Sequence, residues 1–325
     1  MGDHVESLRE LYPLSEPFAT GYLDVGGPHR LYYEQCGNPA GIPVVCLHGG
    51  PGSGCAPWHR RFFDPERFHI LLYDQRGAGK SQPHACLEFN TTTLLLADLE
   101  VLRRRLGLQR WILFGGSWGA TLALLYAQAH PERVIGLVLR GVFLARARDR
   151  TWFFGSEGVA RVFPEAYAAF LEGLTAEECT DPVLAYHRRL SGSDPVARHA
   201  AAAAWHAWEH AVVSHTLDTE ASEPEPDVLV ARATIACHYA RHGFFLGQDG
   251  ALAKLTRLAG VPGVMVHGRR DLVCPVESAV TLYRAWPEST LVVLENCGHA
   301  AAEPAMQDGL MCATETLAER AATGR

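Results

Sequence analysis

Along the first half of the chain, short apolar runs alternate with stretches whose apolar residues recur at helical spacing. Val44-Val45-Cys46-Leu47, His69-Ile70-Leu71-Leu72-Tyr73, Trp111-Ile112-Leu113-Phe114 and Ile135-Gly136-Leu137-Val138-Leu139 have the near-continuous apolar character of strands buried on both faces of a parallel sheet. Ahead of them, Gly21-Tyr22-Leu23-Asp24-Val25 and Arg30-Leu31-Tyr32-Tyr33-Glu34 alternate polar with apolar and predict an antiparallel edge hairpin. From about Ala145 the strand signal stops, and an Ala-, His- and Trp-rich stretch with helical periodicity follows, broken at Pro164, Pro182 and Pro195. Strand patterns return at Gly263-Val264-Met265-Val266-His267 and Thr290-Leu291-Val292-Val293-Leu294, and the chain closes in a helical pattern around Gln307 to Arg320. The order predicts an α/β fold: a mostly parallel sheet formed by residues 1–144 and 251–325, with an all-helical insertion over residues 145–250.

Composition narrows the class. With 325 residues and 48% hydrophobic content the chain can bury a large core. A net charge of -7 argues against a nucleic-acid partner, because no basic stripe is available to neutralise phosphates. The densest positive cluster, Arg103-Arg104-Arg105, lies in a helical pattern and reads as a solvated face. No apolar stretch approaches membrane-spanning length, and Met1 to Glu6 lack the basic and apolar regions of a secretory signal, so the expected location is cytoplasmic. The cysteine count is 9, without paired metal-ligand spacing, which predicts reduced and mostly buried thiols.

Candidate chemistry centres on Gly115-Gly116-Ser117-Trp118-Gly119. It is a Gly-x-Ser-x-Gly elbow between a strand pattern and a helix pattern. A serine on so tight a turn needs small neighbours, and the backbone N–H of Trp118 then opens a helix N-terminus, where negative charge is favoured. In the chain order expected of such a nucleophile, Asp271 follows one late strand and His299 follows the next. A histidine is needed to take the serine proton and return it to the leaving group, and a carboxylate to orient the imidazole. After Leu47, the loop His48-Gly49-Gly50-Pro51-Gly52-Ser53-Gly54 offers a second oxyanion donor; Gly50 is the candidate, because Pro51 has no N–H. Asp74-Gln75-Arg76-Gly77-Ala78-Gly79-Lys80-Ser81 lacks phosphate-loop spacing and reads as a turn whose Asp74 and Arg76 brace the active-site loops.

The runs HGGPGSGCAP (His48 to Pro57), DQRGAGKSQPHA (Asp74 to Ala85), NTTTLLLADLE (Asn90 to Glu100), GGSWGATLALLYAQAHPERV (Gly115 to Val134) and GRRDLVCPVESA (Gly268 to Ala279) resemble the proline iminopeptidases. The likeness extends from Leu11-Tyr12-Pro13 to Glu303-Pro304. It implies an α/β-hydrolase core with a helical cap, and metal-free, cofactor-free release of N-terminal proline from small peptide or amide substrates. Ser117, Asp271 and His299 are the triad by this resemblance, and Phe143, Phe153 and Cys274 line the proline pocket. Trp205-His206-Ala207-Trp208-Glu209 matches the family's Trp-x-x-Trp-Glu, so the resemblance makes Glu209 the ligand of the substrate amine.

Two departures qualify the resemblance. Where the family reads Glu-x-His-Tyr-Phe, this chain has Ala236-Cys237-His238-Tyr239-Ala240. Losing one of two carboxylate partners weakens ammonium binding by about 1.5 to 3 kcal/mol and enlarges the pocket. An amidase, esterase or acyl-transfer enzyme acting on a larger or non-proline acyl group is therefore the alternative. His206-Ala207-Trp208-Glu209-His210 also matches the inverted zinc-peptidase pattern His-x-x-Glu-His, which makes a zinc metallopeptidase a remote alternative lacking a third ligand.

Overall fold

A computed structural model describes residues 8–217 and 224–323. The strands are β1 (Ala19–Asp24), β2 (Arg30–Gly37), β3 (Ile42–Leu47), β4 (Phe68–Tyr73), β5 (Trp111–Gly116), β6 (Val134–Arg140), β7 (Gly263–Gly268) and β8 (Ser289–Leu294). They form one sheet in the order β1-β2-β4-β3-β5-β6-β7-β8. β1 pairs with β2 and β2 with β4 antiparallel, and every later pairing is parallel. The α/β expectation and the antiparallel edge hairpin therefore hold.

Alternate residues of each central strand serve different cores. Val45, Leu47, Leu71, Leu113, Leu137 and Met265 pack in a cluster on one face, while Val44, Ile70, Ile112, Val138, Val264 and Val266 belong to a second cluster. Both faces are covered, so these strands carry no polar alternation. Core helices are α1 (Thr92–Arg105) and α2 (Trp118–Ala129). Between β6 and β7 come α3 (Ala147–Phe154), α4 (Pro164–Leu171), α5 (Pro182–Leu190), α6 (Pro195–Val213) and α7 (Pro226–Arg241), with no strand among the described residues of this stretch. Proline opens α4, α5, α6 and α7 at the first turn, where its missing N–H has no intrahelical acceptor to lose. The two ends of this helical cap meet, as Ala251 N–H donates to the Leu144 carbonyl at 2.8 Å. The chain then forms α8 (Val276–Ala285) and α9 (Pro304–Thr323); the latter starts earlier and ends later than its periodicity suggested.

Two sequence expectations need correction. Arg103 is not on a solvated face: it is buried, with its guanidinium on the Glu100 carboxylate at 2.7 and 2.9 Å, whereas Arg104 is exposed. The i, i+3 pairing lets the charge go inside because it goes with its counter-charge. Arg76 is also placed differently. It grips Asp98 of α1 bidentately, at 2.6 and 2.7 Å, and the Phe89 carbonyl rather than the loop after β3. Asp74 does brace that loop: its carboxylate accepts from Cys55 N–H at 2.6 Å and Lys80 N–H at 2.8 Å. Among the described residues no helix is long and apolar enough to cross a membrane. The cysteines are free, five of them buried and Cys312 exposed.

Candidate active site

Ser117 sits between β5 and α2 with φ 57° and ψ -121°, a strained conformation for a residue with a side chain. The turn is held by contact too close for anything but glycine on either side. A Cβ on Gly115 would stand 2.3 Å from the Gly119 carbonyl oxygen, and one on Gly119 would stand 1.9 Å from that of Leu47. The serine thus rises at the end of the sheet where the parallel strands terminate, and Trp118 begins the helix with an N–H that has no intrahelical partner.

Asp271 and His299 follow β7 and β8. Their side chains are joined, His299 Nδ1 donating to Asp271 Oδ2 at 2.7 Å. The other carboxylate oxygen accepts from the N–H groups of Val273 and Cys274 at 3.0 and 2.8 Å. Burial works against the Asp271 charge, yet His299, His267 and the Cys274 N–H together hold its carboxyl below the ordinary value. An ionised Asp271 keeps the imidazole hydrogen on Nδ1 and leaves Nε2 free to accept. Ser117 and His299 line the same cavity, of about 510 Å³. The Cys274 thiol lies beside the serine hydroxyl, and no hydrogen bond joins the Ser117 and His299 side chains among the described residues. Such contacts commonly close only when substrate is bound.

The loop carrying Gly50 is locked to the elbow by a relay of side chains. His48 Nε2 accepts from Gln75 N–H at 3.0 Å, Gln75 Nε2 donates to the His48 carbonyl at 2.8 Å, and Trp118 Nε1 donates to Gln75 Oε1 at 3.0 Å. His48 must be neutral to accept, and burial pushes its pKa down to about 4. Gly49 packs against Ser117, since a Cβ there would lie 3.5 Å from that of the serine. Gly50 lines the cavity beside it.

From the cap, Glu209, Phe153, Ala236 and Ala240 reach the cavity, and Phe143 and Cys274 reach it from the core. Glu209 accepts from the Trp205 indole N–H at 2.9 Å and has no other hydrogen bond among the described residues. Burial pushes its carboxyl up to about 7 despite the indole bond and the nearby Arg232. Phe244 stands edge-on to Phe143, centroids 4.9 Å apart, and gives an aromatic to the wall that Ala240 leaves bare. The His206 and His210 rings are 5.8 Å apart on α6. The described residues bring no third ligand to them: the single group of side chains close enough to hold a metal is Asp271, Cys274 and His299.

Several contributors escaped the sequence reading. His267 is wholly buried beside Asp271, accepting Val142 N–H on Nδ1 and donating from Nε2 to the Cys274 carbonyl at 2.8 Å. Arg140 donates to the His299 carbonyl at 2.5 Å, while its own carbonyl accepts Ser117 N–H. Glu303 receives Gly298 N–H at 2.9 Å and the Thr216 hydroxyl of the cap at 3.0 Å. Polar residues inside or just after strand patterns were the available signal for His267 and Arg140. Their partners lie too far along the chain for spacing to name them.

The comparisons agree with this architecture. Residues 42–304 match the model of the alpha/beta hydrolase fold family. The chain is 49% identical over 313 residues to a proline iminopeptidase of Xylella fastidiosa, covering 95% of this chain and 100% of that protein. It is 44% identical to a proline iminopeptidase of Arabidopsis thaliana, with 95% and 82% covered. Among solved structures, the proline iminopeptidase of Mycobacterium smegmatis superposes with a TM-score of 0.60 at 17% identity, over 94% of this chain and 100% of that one. A carboxylesterase of Nitrososphaera gargenis gives 0.62 at 17% identity, over 92% and 99%; these two establish the fold alone. With the sheet, the elbow and near-full-length relatives in agreement, the chain belongs to the proline iminopeptidase family of the α/β-hydrolase fold.

Proposed function

We propose that this protein is a serine exopeptidase of prolyl aminopeptidase type, with Ser117 as nucleophile, His299 as general base and acid, and Asp271 as the group that orients and charge-stabilises the imidazole. The observation that carries the reading is the buried 2.7 Å Asp271–His299 pair opening on the same cavity as the strained Ser117. Ser117 Oγ bonds to the substrate carbonyl carbon as its proton passes to His299 Nε2. The oxyanion faces the N–H groups of Gly50 and Trp118. Collapse breaks the C–N bond, with His299 giving its proton to the departing amine. Water then attacks the ester, loses a proton to His299, and restores the serine.

Glu209 takes the substrate ammonium, which limits cleavage to the first residue. Phe143, Phe153 and Cys274 bound the space for its ring. Ser117→Ala should lower kcat on a proline arylamide by about 10⁴-fold or more without a change in fold, and a fluorophosphonate should label wild-type Ser117. Undiminished turnover by Ser117→Ala would reject the mechanism. Activity lost on chelation would instead favour a metal at His206 and His210. The small side chains of Ala236 and Ala240 on the cavity wall favour a second reading, acyl transfer or hydrolysis of larger acyl groups, which product analysis with added amine acceptors tests.

A further inference from the structure

We propose that Arg232 makes the cap end of this pocket a binding site for an acyl residue that carries a carboxylate as well as an ammonium group, such as an N-terminal glutamyl or aspartyl residue or a γ-linked glutamyl group. The proposal rests on the acyl-enzyme reading above and adds a substrate class to it. Arg232, Ala236 and Ala240 are four residues apart on α7 and all three line the cavity, so one stripe of the helix faces the substrate. Two of these positions are bare methyl groups. The third is a guanidinium.

The other charged side chains on that wall are already engaged. Asp149 holds Arg146, Arg140 bonds the His299 carbonyl, and Arg150 donates to the Ala240 carbonyl at 3.3 Å. Among the described residues Arg232 makes neither a hydrogen bond nor an ion pair, and Glu209 is the charge that acts on it. Glu209 in turn is hydrogen-bonded only to the Trp205 indole among the described residues. These opposite charges line one cavity without bridging each other. A ligand bearing ammonium and carboxylate together can pair with both, and a guanidinium suits a carboxylate through two parallel hydrogen bonds.

The room lies on the acyl side. A second cavity of about 180 Å³ adjoins the first and shares Glu209, Arg232, Ala236 and the loop residues Gly50, Pro51 and Ser53 with it. His299 lines only the larger cavity. Because His299 must reach the departing amine, the smaller space is left for the retained part of the substrate.

The test compares kcat/KM for 4-nitroanilides of proline, α-glutamate, γ-glutamate and glutarate, together with prolyl-glycine, in wild type, Arg232→Ala and Arg232→Lys. Wild type should hydrolyse at least one glutamyl anilide. Arg232→Ala should lower its kcat/KM relative to the proline anilide by about 10- to 100-fold, mostly through KM, and Arg232→Lys should recover part of that ratio. The α- and γ-linked arms tell which linkage supplies the carboxylate, and weak turnover of the amine-less glutaryl anilide is expected. A glutamyl-to-proline ratio that Arg232→Ala leaves within about threefold of wild type overturns the proposal, as does an Arg232 effect confined to prolyl-glycine, whose carboxylate is in the leaving group. Calorimetry on the Ser117→Ala protein separates this from failure of the mechanism. L-glutamate binding that weakens with Arg232→Ala supports the subsite even if no anilide is cleaved, and absence of glutamate binding rejects it.

Discussion

At the scale of single residues, Glu209 has the most consequential environment. Its carboxyl is pushed up to about 7 by burial, so near neutrality it is divided between a form that can bind an ammonium group and one that cannot. KM for a proline arylamide should therefore fall as pH rises from 6 to 8, and Glu209→Gln should remove that dependence while raising KM about 10- to 100-fold. A pH-independent wild-type KM would show that another group takes the amine. Stability runs the other way. A carboxyl whose folded pKa lies above its unfolded value binds more protons in the native state, so stability is fully kept below the unfolded value near 4.5 and lost as pH climbs to the folded one. Glu209→Gln should accordingly melt at a higher temperature than wild type at pH 8, by the equivalent of about 3 kcal/mol, and show no gain at pH 4. Ser117, Asp271 and His299 stand out in sequence as candidates because each follows a strand in a fixed order, and the fold brings them to one cavity. Arg232 could not: on α7 it looks like any helical arginine, and only the fold sets it in the cavity, without a hydrogen-bond partner among the described residues.

Among the elements, the turn from β8 into α9 shows how the His299 side chain is held from outside. Glu303, just before α9, accepts the Gly298 N–H with both carboxylate oxygens, at 2.9 and 3.1 Å, and so fixes the backbone next to His299. Glu303→Ala leaves that buried N–H without an acceptor. Its kcat should drop about tenfold or more with KM little altered, and Glu303→Gln should restore part of the loss. Equal wild-type and Glu303→Ala values of kcat would show that His299 needs no such support. The elbow and the loop after β3 were legible at this scale, since glycine spacing announces a close approach. Arg103 misled because spacing places a residue on a helix face but does not reveal that Glu100, one turn back, can accompany it inside.

The molecule as a whole is stitched between cap and core on several sides. The Tyr239 hydroxyl donates to Asn90 Oδ1 at 2.8 Å, the Trp152 indole to the Leu272 carbonyl at 2.8 Å, and Arg146 reaches Glu277 and Ser278. Cap and core should then unfold together, with denaturant midpoints from far-ultraviolet dichroism and from tryptophan fluorescence, to which Trp205 and Trp208 of the cap contribute, coinciding. Separate midpoints would show that the cap melts on its own. The strand positions and the helical stretch were readable from periodicity, whereas the spatial order of the strands was not. These ties were not, because each joins residues more than a hundred positions apart. The hydrogen bond between Leu144 and Ala251 adds one thing more. The helical stretch leaves and rejoins the sheet at neighbouring points, so it is geometrically a single long loop, a cassette that can be exchanged for another of different length while the reacting groups stay where they are. Grafting a relative's cassette between these two residues offers a direct route to a different cavity wall around an unchanged Ser117 elbow.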